Sequence, residues 1–151
     1  MVKFKDLKDE AEKWVKEYCE ALNNNQTYNE AAKTWGVDQE GAMVYVMEAS
    51  GEVEDDLRVF LDLKGGKCLG VKLLEPGEDP PRDPILSLRA PMHTWKKLAF
   101  QELDPIKGLM QNKLKIDGDM GLAMRYSKAA QELAVSTKDT DRTILTKYNL
   151  E

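Results

Sequence analysis

Histidine, cysteine and long apolar runs are what this sequence has least of. Its 151 residues include one histidine, His93, and two cysteines, Cys19 and Cys68. A tetrahedral Cys/His metal site needs more such ligands at close spacing, so no metal is expected. One histidine also leaves no Ser/His/Asp ordering to build a nucleophile from. His93 falls beside Thr94 on a helical stretch, and an exposed, inert role is expected for it. No apolar run approaches the ~18 residues of a membrane span. The first residues, MVKFKDLKDEAEKW, carry acids and no continuous apolar core, unlike a secretory signal. A cytoplasmic location is therefore expected, with both cysteines reduced and independent. A basic surplus is missing too. The formal charge is −5 and the pI about 5.1, whereas a nucleic-acid partner requires a basic face, so none is expected.

What is present is the composition of a soluble globular domain, 42% hydrophobic and 32% charged. A chain of this length can bury roughly 68–70% of its unfolded surface around one core. Phe4, Leu7, Ala11, Trp14, Tyr18 and Ala21 follow the spacing of an amphipathic helix, which Asn23-Asn24-Asn25 ends. Thr27 and Glu30 have capping-box spacing for a short second helix that stops at Gly36. The period then changes to that of strands. Ala42–Ala49 is apolar on both faces and predicts a central strand. Leu57–Lys64 alternates, with Leu57, Val59, Leu61 and Leu63 on one face and Phe60 the exception. Gly65-Gly66 suits a two-residue hairpin turn, and no GxxxxGK[ST] follows it to make a phosphate loop. Lys67–Leu74 then predicts a strand with Leu69, Val71 and Leu73 inward.

Glu75–Pro84 holds four of the six prolines and predicts an exposed, mobile loop. Ile85–Ala90 reads as a strand with Leu86 and Leu88 buried, and Pro91 opens a helix whose face is Met92, Trp95, Leu98 and Ala99. Asp104-Pro105 is a helix start, Lys113–Asp117 a fifth strand, and Asp119 the cap of a last helix from Met120 to about Ala134. Residues 1–134 thus form one domain and 135–151 a polar C-terminal tail. Hairpin strands with helices at both ends predict an α+β fold, a five-stranded, mainly antiparallel sheet covered by helices.

Met120, Gly121, Leu122, Ala123 and Met124 stand out, because a surface helix normally shows one apolar stripe about 100° wide and this turn is apolar all round. The stretch DPIKGLMQNKLKIDGDMGLAMR, Asp104 to Arg125, resembles the sterol-carrier-protein family, the domain of the non-specific lipid-transfer protein. QNKLKI (Gln111–Ile116) and GDMGLAM (Gly118–Met124) carry the likeness. LDLKGGKCL and the Trp95 helix extend it more loosely, so that it covers roughly Trp14 to Tyr126. Asn112 stands where many relatives have glycine. The terminus Asn149-Leu150-Glu151 is not the Ser-Lys-Leu-like address of peroxisomal members.

The resemblance implies a sheet and helices enclosing an apolar tunnel, and intracellular binding and transfer of a lipid: fatty acyl, acyl-CoA, phospholipid or isoprenoid/sterol. Trp95, Leu98, Phe100, Ile106, Leu109, Met110, Leu114, Ile116, Met120, Ala123 and Met124 are expected to line the cavity, with Val44, Val46, Val59, Leu61 and Leu69 as its floor. Lys113, Lys115 and Arg125 are equally well a lipid-headgroup site or the outer face of an edge strand. No cofactor and no catalysis are expected. The alternative is a non-catalytic dimerisation module, or a partner of an acyl-CoA or lipid-metabolising enzyme. Transient membrane contact and a homodimer stay open as partners.

Overall fold

A computed structural model describes residues 1–151. Five strands, β1 (Met43–Glu48), β2 (Leu57–Lys64), β3 (Lys67–Leu74), β4 (Leu86–Pro91) and β5 (Lys115–Gly118), form one sheet in the order β3-β2-β1-β4-β5. Three neighbouring pairs are antiparallel and the β1–β4 pair is parallel. β1 is central, as its two apolar faces predict. Gly65 and Gly66 take φ of 62° and 79° between β2 and β3, a turn that residues with a Cβ resist.

Seven α-helices accompany the sheet: α1 (Phe4–Asn23), α2 (Gln26–Ala31), α3 (Met92–Ala99), α4 (Pro105–Met110), α5 (Met120–Arg125), α6 (Ser127–Val135) and α7 (Thr143–Thr146), with a 3-10 turn at Ser136–Asp139. α1 lays its stripe of Phe4, Leu7, Ala11, Trp14, Val15 and Tyr18 into the main core. The Asp104 carboxylate accepts from the Ile106 and Lys107 amides at 3.0 and 3.1 Å, and Asp119 accepts from Leu122 at 3.1 Å. Both caps stand where the sequence put them. For α2 the cap is Asn25 and not Thr27: its Oδ1 accepts from the Tyr28 amide at 3.0 Å, and asparagine is the stronger N-cap.

Several expectations are corrected. The register of β2 and β3 shifts after Asp62, so that Leu63 pairs with Cys68 and Leu69 is the extra residue of a β-bulge. In an unbroken alternation Leu69 would face inward; instead it is 61% exposed and Cys68 takes the inward place. Cys68 then meets α1, where it is disulfide-bonded to Cys19, so the two cysteines are neither reduced nor independent in this structure. Asn23 closes the same corner, its side chain bonding the Cys68 amide at 2.8 Å and carbonyl at 3.0 Å.

The predicted long last helix breaks at Tyr126, whose backbone (φ −110°, ψ 36°) leaves the helical region between α5 and α6. The proline-rich loop is strapped down rather than free. Arg82 binds Glu40 through two nitrogens (2.8 and 2.9 Å) and Asp62 at 2.7 Å, with its guanidinium over the Phe60 ring. It thereby covers the outer face of the sheet, where Phe60 packs with Ala42, Val44 and Leu74. His93 is half-buried rather than exposed, with Nδ1 enclosed and unbonded.

Residues 135–151 dock on the domain. The Trp14 indole N–H donates to Thr140 Oγ1 at 3.0 Å, Lys147 pairs with Glu10, and Leu150 is buried. Gly51 makes this possible: its φ is +58°, and a Cβ there would stand 2.1 Å from the Asn149 carbonyl oxygen. Gly51→Ala is therefore expected to cost about 1–3 kcal/mol through backbone strain and the lost contact. Limited proteolysis should then cut within residues 140–151, and uncut protein with an unchanged melting temperature would refute the docking role.

Candidate functional site

The sheet presents its residues alternately to two faces, and a cavity of about 120 Å³ lies on the face covered by helices. Of the 32 residues that line it, 30 are hydrophobic, and the other two are Pro105 and Thr137, so the wall carries no charge at all. α1 contributes Ala11, Trp14, Val15 and Tyr18; β1 contributes Met43, Tyr45 and Met47; α6 contributes Ala129, Ala130, Leu133 and Ala134. Such a wall offers no charged group to hold an ion. It can exclude water and accept apolar matter by shape.

Most polar atoms of the wall are already paired. The Trp95 indole N–H is shared between the Val46 and Ala90 carbonyls, both at 3.0 Å, and that of Trp35 donates to Gly41 at 2.8 Å. The Thr137 hydroxyl bonds the Ala99 and Ala134 carbonyls. Tyr126 and Thr34 share a bond of 2.8 Å. Tyr18 donates to the Leu133 carbonyl at 2.8 Å, which spends its one proton and leaves Tyr45 as donor in their 3.0 Å contact. Burial pushes the Tyr45 phenol up to about 12. It raises Tyr18 and Tyr28 well above the ordinary phenol range, and Tyr45 close by adds to both shifts.

Six of the residues expected to line a cavity do so: Trp95, Leu98, Leu109, Leu114, Ala123 and Val59. The other ten lie elsewhere. Val44 and Val46 occupy the outer face, because Met43, Tyr45 and Met47 point inward; a strand apolar on both faces does not reveal its own parity. Leu61 is in the solid core without reaching the cavity, and Leu69 is turned out by the bulge. Phe100 lies under the Arg142 guanidinium, 4.0 Å from it. Ile106, Ile116 and Met124 pack half-buried around the rim of the core. Met110 and Met120 are 74% and 39% exposed, so of the apolar turn only Leu122 and Ala123 are buried. Lys113, Lys115 and Arg125 are all exposed and make no ion pair.

The α1 wall was missed although its apolar spacing was plain, since a helical stripe does not say whether it meets core or cavity. Ile144 and Leu145, from the C-terminal segment, gave no signal among polar neighbours.

A profile of the SCP-2 sterol transfer family matches residues 6–131, which span all five strands. The chain belongs to the SCP-2 sterol transfer family. A crystal structure of sterol carrier protein 2 superposes with a TM-score of 0.73 at 29% identity, over 85% of this chain and 95% of that one. A conserved hypothetical protein of Thermus thermophilus with a provisional sterol-carrier description matches at 30% identity, over 83% and 84% of the two chains, with a TM-score of 0.70. The sterol carrier protein domain 2 of Helicoverpa armigera, at 24% identity and TM-score 0.54 over 82% and 87%, shares the fold. A search of curated proteins returns no match. SCP-2 domains bind and transfer lipids and are in general non-catalytic, though some occur within enzymes. No helix in this SCP-2 domain is long and apolar enough to cross a membrane.

Proposed function

We propose that this SCP-2 domain binds a lipid chain in the cavity and carries it, without chemistry of its own. The observation that carries the reading is the uncharged wall, 30 of whose 32 residues are hydrophobic. Trp95, Leu98, Leu109, Leu114, Ala123 and Val59 are the residues proposed to contact the chain from both layers. Burying about a dozen methylenes at ~0.8 kcal/mol each gains near 10 kcal/mol, against an association cost on the order of 4–15 kcal/mol. Affinity is then modest and set by volume, which suits broad cargo and reversible release. The hollow of about 120 Å³ is smaller than a cavity of ~150 Å³ that admits benzene. A long chain must therefore push side chains aside, and Met43, Met47 and Met92 are flexible enough to yield.

Ala123→Phe tests this by placing a ring inside the space. Losing room for about four methylenes costs ~3 kcal/mol, so lipid affinity should fall about a hundredfold or more. The melting temperature should stay within a few degrees, since the ring fills a void. Natively purified wild-type protein should release lipid on organic extraction, and the variant should not. Wild-type protein that releases none and takes none up from vesicles would overturn the proposal.

A further inference from the structure

One polar group of the cavity wall has no partner. Every indole N–H of the wall, and every hydroxyl but one, bonds within the protein. The exception is Tyr28, on α2, which is only 2% exposed, lines the cavity and makes no hydrogen bond through its hydroxyl. Its backbone is fully engaged, the amide by Asn25 and the carbonyl by Ala32, so the helix is complete without the phenol. His93 Nδ1 is the one fully enclosed side-chain atom without a partner, so the Tyr28 hydroxyl keeps some open surface, and a donor left open on a residue that lines a ligand-sized hollow asks for an occupant that pairs it.

We propose that Tyr28 is the polar contact for the cargo, donating its proton to a neutral oxygen, a carbonyl or an alcohol, at the buried end of the lipid. The inference rests on the lipid-binding reading above and adds a chemical class to it. Neutrality follows from the wall: no lysine, arginine or histidine lines the cavity, so a carboxylate brought there would be buried without a counter-charge. Burial also keeps the phenol protonated, and therefore a donor, across the physiological range. Tyr45, near enough for its charge to act on Tyr28, spends its proton on Tyr18 and keeps a lone pair open. An alcohol could use both groups, a ketone or ester carbonyl only the first. A lipid whose only polar group is anionic would keep that end outside.

The test compares wild-type protein with Tyr28→Phe, using dodecan-2-one, dodecan-1-ol, dodecane and dodecanoate as probes in equilibrium binding. The substitution keeps the ring and removes the oxygen. Affinity for the ketone and the alcohol should fall about threefold to tenfold, the worth of one net hydrogen bond, while dodecane binds equally to both proteins. Dodecanoate affinity should change less than twofold. The empty variant should melt at the same temperature as wild type or higher, because the hydroxyl it loses bonds nothing in the protein. Equal affinities of the two proteins for the ketone and alcohol, with dodecane still bound, would overturn the role of Tyr28 and leave the lipid cavity standing. Failure of the wild type to take up any probe would sink both. A lowered melting temperature with a uniform loss across all probes would make Tyr28 a packing residue and overturn the proposal.

Discussion

Raised above pH 10, this protein should lose stability steeply and unfold in one cooperative step. Tyr18, Tyr28 and Tyr45 are almost wholly buried, and burial holds all three phenols above their ordinary value of 10. In the unfolded chain the same phenols ionise near pH 10. Above that pH the folded state retains protons that the unfolded state has shed, so folding loses ground as pH rises. The contribution is fully present below pH 10 and disappears through the folded values, about 12 for Tyr45. Each withheld ionisation costs about 1.4 kcal/mol per pH unit, so three cost about 4 kcal/mol per unit and roughly 8 kcal/mol by pH 12. That is comparable to the whole stability of a typical domain, about 5–15 kcal/mol. The ammonium groups of Lys8, Lys33 and Lys147, raised by bonded glutamates, act in the same direction but are exposed and screened. Tyrosinate absorbance should therefore show a cooperative step that coincides with loss of the helical circular dichroism. In Tyr45→Phe the pH slope of stability should drop by about one third. Three tyrosinates appearing near pH 10 with the fold intact would refute the burial of the trio.

The features legible in the sequence are those that a local signal specifies completely. Alternation placed β2, two adjacent glycines placed its hairpin, and aspartates at the N-caps started α4 and α5 where expected. The family likeness of Gln111–Ile116 and Gly118–Met124 was equally local, and the family and its α+β fold are what the matches show. The errors fall where a local signal leaves a choice to tertiary structure. β1 is apolar on both faces, and only its neighbours in the sheet decide that Tyr45 rather than Val44 looks into the cavity. Leu69 follows the alternation of its strand in sequence, but the bulge reverses the count. Met110 and Met120 are apolar, yet exposed, because nothing in their spacing says which side of a six-residue helix is covered. Of the opening turn of α5, Met120, Ala123 and Met124 are expected in the wall, and only Ala123 lines it.

Reducing the Cys19–Cys68 disulfide should remove about 4 kcal/mol of stability. The bond closes a loop with a sequence separation of 49 residues, with the two Cα atoms 5.4 Å apart. On a chain-entropy account, a loop of that length restricts the unfolded state by about 4 kcal/mol, within the usual range of about 2–5 for native bridges. The link sits just before the last turn of α1 and ties that helix to the edge strand β3, the corner that Asn23 also clips. α1 in turn carries Trp14 and Tyr18 of the cavity wall, so a looser corner reaches the candidate site as well as the global balance. Urea unfolding with and without reductant measures the first effect, and lipid affinity under the same two conditions the second. Cys19→Ala with Cys68→Ala separates the covalent link from chemical side effects of reductant, since both side chains are small and the substitution leaves the Asn23 bonds to the Cys68 backbone in place. The double variant and the reduced wild type should agree within about 1 kcal/mol. Alkylation that finds two free thiols in unreduced protein, or reduction that leaves the urea midpoint unmoved, would show that the bulge brings the cysteines together without joining them.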